Sequence, residues 1–547
     1  MALPGLQNTP AITFSNKKIL VLDDMPDMRT TMRNQMQALG ITNINLASNV
    51  REALNYIQQR TYDVILCDYY LGGATDGQQF LEYLRSTNAI SRATLFIMIT
   101  AETGFNSVIT AAECLPDDYL LKPFTGETMK IRLERLLERK ARLATVDKLQ
   151  DRGDWIGMIK ACDDIIASKD KYLIDAMRIK GNSLMSLSQF DAAIVFYQNA
   201  LKMREMPWAK LGLAKALKSK GQGEQAGQIL ETVIQENPRL LAAYDLLGRI
   251  HTEAGETEKA LQILDNACNI APHSLTRQRS IAQLAEDTGD YSRVDKALSV
   301  VVKQTKNSPL RDANDYAKLT NALTETGDLE RAISTIKEAK DNFTETHELK
   351  LVAAVEAVTQ QKAGNLDLAQ KALEIAMQAG EAVSENTSLA IAKACMVHNK
   401  TDEAMEILKN IVQNNPDSPK LQESIGVIFK DHGGIEAAKK LIESSVKEVI
   451  NLNNDAVQKA KAGQYAEASK MLTDAALRLP NNLQIASNAA LSILMDILMN
   501  GYDATKSMLA QQFQDTVTTK NNQHPKLLEI NALLAKVQSK YPFKYKE

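Results

Sequence analysis

The chain is poor in aromatic residues, which make up 5% of its 547 residues, and it has only two tryptophans. Trp155 and Trp208 read as core or groove residues and not as base-stacking platforms. An excess of either charge is also missing. Sixty-four basic side chains face 67 acidic ones, for a net charge of −3, so bulk electrostatics gives a nucleic-acid partner no support. Cys67, Cys114, Cys162, Cys268 and Cys395 are odd in number, and none forms a C-x-x-C pair. That excludes a disulfide framework and fits reduced thiols in a cytoplasmic protein, with Cys67 a small core residue of its strand. The histidines show no metal-ligand spacing. No run of 18 apolar residues occurs, so no membrane span is expected. Residues 1–15 lack a basic region followed by an apolar core, so they read as a loose leader and not as a secretory signal.

What is present divides into two periods. From Lys18 to about Arg139, short apolar runs alternate with helical spacing. "KILVLDD" (18–24), "INLAS" (44–48), "YDVILCD" (62–68), "TLFIMITA" (94–101) and "DDYLL" (117–121) read as strands. Helices are expected over 28–40, 50–60, 77–86 and 105–113 and from about Thr125. Five βα units within residues 16–139 specify an α/β domain, a doubly wound (βα)5 parallel sheet. Ligands of such sheets bind outside the carboxyl ends of the strands.

After Arg139 the strand signal ends. "GQGEQAGQILETVIQENP" (221–238), "GETEKALQILDNACNIAP" (255–272), "NKTDEAMEILKNIVQNNP" (399–416) and "GQYAEASKMLTDAALRLP" (463–480) align without gaps. Weaker copies start at Gly153, Ser188, Gly289, Gly327, Gly364 and Gly433, giving intervals of 30 to 38 residues. Gly or Asn ends one helix, Ala lets the next pack closely, and Pro stops it. This pattern resembles the tetratricopeptide repeat, which implies an all-α solenoid of stacked helix pairs. The solenoid is expected over 153–490, a helical cap over 491–547, and a helical junction over 140–152. The stretch 127–150 has no Gly or Pro, so it allows one continuous helix or two with a brief break.

The strand ends of the first domain collect acids. Asp23 and Asp24 follow the first strand, Asp68 closes the third, Thr100 closes the fourth, and Lys122–Pro123 follows the fifth. Three carboxylates on one sheet edge cannot all stay ionised without a counter-charge. A hard divalent cation such as Mg²⁺ answers that need, and Lys122 adds a further positive charge.

"VLDDMPDMRTTMRNQMQALG", "VILCDYYL", "DGQQFLEYLR", "IMITAET" and "DDYLLKPF" resemble the receiver domain of bacterial response regulators, close to the chemotaxis type. The resemblance implies that Asp68 takes a phosphoryl group from a histidine kinase or phosphotransfer protein. It implies Mg²⁺ held by Asp24, Asp68 and the Tyr70 carbonyl, with Asp23 completing the pocket through water. Thr100 and Lys122 would grip phosphoryl oxygens. Tyr119 would turn inward on activation, and Pro123 would follow a cis bond. The chemistry suits these residue types, because phosphoryl transfer is mostly positioning and charge neutralisation.

The loop "YYLGGATDG" departs from the family in carrying Gly72 where proline is usual. It is not a P-loop, since Gln78 and Gln79 stand where Lys and Ser/Thr are required. "RLERLLERKAR" (132–142) is basic, but alternating Glu and Arg at helical spacing reads as an ion-paired helix face. A response regulator with protein-binding output on the repeats is therefore expected, with homodimerisation open. The rival readings are a constitutive scaffold whose receiver is a docking module or phosphate sink, and a regulator that touches nucleic acid. No second catalytic set suggests an autonomous enzyme.

Overall fold

The computed structural model describes residues 14–72, 76–101, 116–272, 274–306, 308–378, 383–430, 434–522 and 524–542. Its first elements are β1 (Lys18–Leu22), α1 (Pro26–Ala38), β2 (Asn43–Ala47), α2 (Val50–Gln59), β3 (Val64–Asp68), α3 (Gly77–Ser86), β4 (Leu95–Thr100), β5 (Asp118–Leu121) and α4 (Gly126–Asp151). The helix expected over 105–113 lies outside the described residues. All strand pairs are parallel, in the order β2-β1-β3-β4-β5. Winding reverses at β1, which opens a crevice between β1 and β3 at their carboxyl ends.

The strands are apolar because both sheet faces are covered. Ile19, Val21, Val64, Leu66, Ile97 and Ile99 pack with Met32 and Met36 of α1 and Met129 and Leu133 of α4. The alternate residues Leu20, Leu22, Ile65, Cys67, Phe96 and Met98 pack with Phe80, Leu81 and Leu84 of α3. Asn49, Asp76 and Thr125 cap the helices that follow them, each side chain accepting a backbone N–H of the first turn.

The junction is one helix. α4 runs 26 residues without a break, straight through the boundary drawn at 139. The basic stretch on α4 is paired with acids: Arg132 and Arg135 with Asp118, Arg139 with Asp175, and Arg142 with Asp170. Each such pair contributes at most about 1 kcal/mol, but together they tie α4 to β5 on one side and to helix Leu173–Ser186 and the turn before it on the other.

Beyond α4 the described residues form helices and the turns between them. Helices Pro207–Ser219, Gly223–Glu236, Leu241–Glu253 and Thr257–Ile270 show the repeat at its clearest. Ala226, Ala260, Ala404 and Ala468 are fully buried, and Leu230, Leu264, Leu408 and Leu472 are at most 5% exposed. Burying each such leucine contributes about 1.5–3 kcal/mol. Nine of the ten expected repeat starts take positive φ, including Ser188 (56°) and Asn399 (59°) in place of glycine. The tenth, Gly433, lies outside the described residues, and its neighbour Gly434 has φ 78°. Where the aligned segments carry Pro238, Pro272, Pro416 and Pro480, that copy has Ile450. With no helix stop, Gly434–Lys461 is a single 28-residue helix.

Two expected boundaries fall within continuous structure. Residue 490 falls inside helix Leu483–Asn500, because Ala489, Ala490, Ile493 and Ile497 on both sides of it belong to one core cluster. Among the described residues this is the one helix long and apolar enough to cross a membrane, and 61% of it is buried within the fold. The chain also forms two compact units, Met1–Thr326 and Gly327–Glu547. The receiver-like sheet therefore shares a unit with the first repeats instead of standing alone, because continuous α4 packs on both sides of the junction.

Candidate functional site: an acidic pocket at the sheet edge

The crevice between β1 and β3 is filled by acids. Ligand oxygens of Asp23, Asp24 and Asp68 lie within 4.8 Å of one another. Asp23 is fully buried and Asp68 is 6% exposed. Lys122 leaves β5 directly opposite, and its Nζ donates to Asp23 Oδ2 and to Asp68 Oδ2, both at 2.9 Å. Burial pushes the Asp68 carboxyl up to about 6, against the hydrogen bond and charge of Lys122. Burial works against the Lys122 ammonium, but its bonds to Asp68 and Asp23 outweigh this and raise its pKa. One cation against three carboxylates leaves the pocket short of positive charge. An all-oxygen donor set suits Mg²⁺, which takes a few carboxylates and keeps waters or phosphate oxygens on its other positions.

Backbone packing holds the pocket in place. Asp68 pairs with Ile99, which brings Thr100 to the neighbouring strand end, where it is 3% exposed. The Thr100 carbonyl accepts the Lys122 N–H at 2.7 Å, and the Lys122–Pro123 bond is cis. Tyr70 follows Asp68 in the loop, 56% exposed, with its ring edge-on to Tyr69 at 4.9 Å. Tyr119 pairs with Met98, and its half-buried ring packs on the Leu20–Phe96 face of the sheet. Asp23, Asp24, Asp68, Thr100 and Lys122 thus meet at one edge, with Tyr70 in the loop after β3 and Tyr119 on β5.

Two glycines sit where a side chain would collide with Asp24 or Asp68. Gly72 has φ 61°, and a Cβ there would fall 2.3 Å from Asp24 Oδ2. A Cβ on Gly77 would fall 2.3 Å from the Asp68 carbonyl oxygen. The departure at Gly72 thus makes room for Asp24. Arg29 is a residue that strand-end reasoning missed. Its Nη1 donates to the carbonyls of Asp23 and Asp24 at 2.6 and 2.9 Å, which fixes the turn that presents both acids. Only its place one turn into α1 could have suggested this.

The response regulator receiver domain family matches residues 19–134. Chemotaxis protein CheY-3 of Vibrio cholerae serotype O1 is 32% identical over 129 residues, 24% of this chain and 98% of that protein. The chain belongs to the response regulator receiver family. Chemotaxis protein CheY of Pseudomonas aeruginosa is 31% identical over 122 residues, 22% of this chain and 97% of that protein. A solved structure of Vibrio cholerae chemotaxis protein CheY4 is 28% identical and covers 22% of this chain and 98% of its own, with a TM-score of 0.21. These relatives match the receiver alone. Tetratricopeptide repeat families match residues 184–250 and 232–476. The chain joins a response regulator receiver domain to a tetratricopeptide array.

Trp155 and Trp208 are partly buried packing residues of this array. The Arg178 guanidinium lies over the Trp208 ring at 5.6 Å.

Proposed function

We propose that Asp68 accepts a phosphoryl group from a histidine kinase or phosphotransfer protein in the cytoplasm, and that the repeat array carries the output by binding protein partners. The observation that supports this most is the Lys122 ammonium bridging Asp23 and Asp68 at 2.9 Å beside Asp24. An Asp68 oxygen attacks phosphorus. The P–N bond to the donor imidazole breaks, and the imidazole leaves with the electron pair. Lys122 stays protonated, and with the Thr100 hydroxyl it holds the phosphoryl oxygens. Asp23, Asp24, Asp68 and the Tyr70 carbonyl would hold Mg²⁺, which supplies charge neutralisation when bound. The stacked helix pairs offer a long surface for a partner protein.

Intact-protein mass spectrometry after incubation with acetyl phosphate tests the site. One phosphoryl group is expected with Mg²⁺ present, and none with a chelator or in Asp68→Ala. Equal labelling of Asp68→Ala would overturn the assignment.

A further inference from the structure

Gln78 and Gln79 open α3, and each is only 7% exposed. Long polar side chains rarely lose solvent without partners. Gln78 Oε1 accepts from the Tyr69 hydroxyl at 3.4 Å. Gln79 reaches out of the receiver, and its Nε2 donates to the backbone carbonyl of Gln304 at 2.8 Å. Gln304 lies in the last turn of repeat helix Tyr291–Thr305, where carbonyls have no partner within the helix. The first turn of α3 therefore caps a repeat helix of the same compact unit, across 225 positions of sequence. Thr305 and Ser308, beside the capped carbonyl, are fully buried. One turn further along α3, Glu82 also acts on the repeats. Burial disfavours the Arg279 charge, but Asp315, Asp312 and Glu82 outweigh it and raise its pKa.

The same turn is wedged against the phosphoacceptor. The Gly77 N–H donates to the Tyr69 carbonyl at 2.8 Å, and a Cβ on Gly77 would fall 2.3 Å from the Asp68 carbonyl oxygen. Asp76 Oδ1 accepts the Gln79 N–H at 2.8 Å, so Gln79 is fixed to the residue that ends the loop. A Cβ on Gly72 would likewise fall 2.3 Å from Asp24 Oδ2.

We propose that the first turn of α3 is a latch. The Gln79–Gln304 bond holds the end of helix Tyr291–Thr305 while Asp68 is a free carboxylate, and phosphoryl transfer to Asp68 releases it. The inference rests on the phosphoacceptor reading above. In the transfer a new bond joins an Asp68 oxygen to phosphorus, and the donor's leaving group departs with the electron pair of the bond it loses. The added group takes Lys122 away from its present bonds to Asp23 and Asp68. Rearrangement of these acids moves Gly77, and with it Gln79.

Hydrogen–deuterium exchange on the full chain tests the latch, with acetyl phosphate and Mg²⁺ as the phosphoryl source. Before any phosphoryl source is added, Gln79→Leu should speed exchange in the last turn of helix Tyr291–Thr305 about fivefold, the loss of one hydrogen bond. Phosphorylated wild type should show the same increase, and Asp68→Ala treated in parallel should not. Unchanged exchange in Gln79→Leu would overturn the latch whatever the labelling. Wild type that gains phosphoryl mass with no change in exchange would overturn the release step and leave the phosphoacceptor reading standing. Wild type that gains no phosphoryl mass would remove that reading and the release step together.

Discussion

Replacing Gly72 with alanine separates two effects that usually come together. Gly72 sits at φ 61°, where any side chain costs about 1–2 kcal/mol. Its Cβ would also lie 2.3 Å from Asp24 Oδ2, well inside contact distance, so the carboxylate must move. Gly40, after α1, supplies the control. It has φ 84°, and a Cβ there would meet nothing within 4 Å. Gly40→Ala should therefore lose about 1–2 kcal/mol in denaturant melts and leave Mg²⁺ affinity unchanged. Gly72→Ala should lose a similar amount of stability and in addition weaken Mg²⁺ binding at least about tenfold, or about 1.4 kcal/mol, as one of three carboxylates is displaced. Isothermal titration with Mg²⁺ reads the second quantity directly. Equal Mg²⁺ affinity in Gly72→Ala and wild type would refute the claim that this glycine makes room for the metal ligand. A matching affinity loss in Gly40→Ala would show that strain, and not contact with Asp24, is responsible.

Three further outcomes are expected. Mg²⁺ affinity should fall as pH drops through about 6, because a proton on Asp68 competes with the ion; at pH 5.5 the loss is about fourfold relative to pH 7.5 in parallel titrations. Lys122→Met leaves Asp23 and Asp68 without their shared cation, so the metal-free protein should lose about 3–5 kcal/mol. Its Tm should then rise more with Mg²⁺ than that of wild type, and equal increments would count against the bridge. Ala260→Phe overfills a fully buried repeat contact and should cost about 1–3 kcal/mol, read as a lower Tm with receiver phosphorylation intact.

The sequence alone determined the alternating domain, the repeat and the acids of the pocket. Each depends on short-range spacing: a period of two or 3.6 within an element, the recurring Gly/Asn, Ala, Leu and Pro of the repeat, and acids one residue past an apolar run. The same logic failed where no local signal exists. The fused helix Gly434–Lys461 follows from Ile450 standing at a proline position, yet a missing stop reads like any degenerate repeat. The boundary at 490 falls inside helix Leu483–Asn500, because an apolar helix looks the same on either side of it.

Only the tertiary structure decided which atoms meet. Lys122 is 99 positions from Asp23 and 54 from Asp68, and the order of parallel strands, not any motif, brings its ammonium to both at 2.9 Å. Gln79 reads in sequence as a position lacking the residue a P-loop needs. In the fold it caps a repeat helix 225 residues away. Local spacing specifies which face a side chain occupies. What lies against that face depends on how distant segments pack, and a continuous, salt-bridged α4 sets this for the receiver and its first repeats.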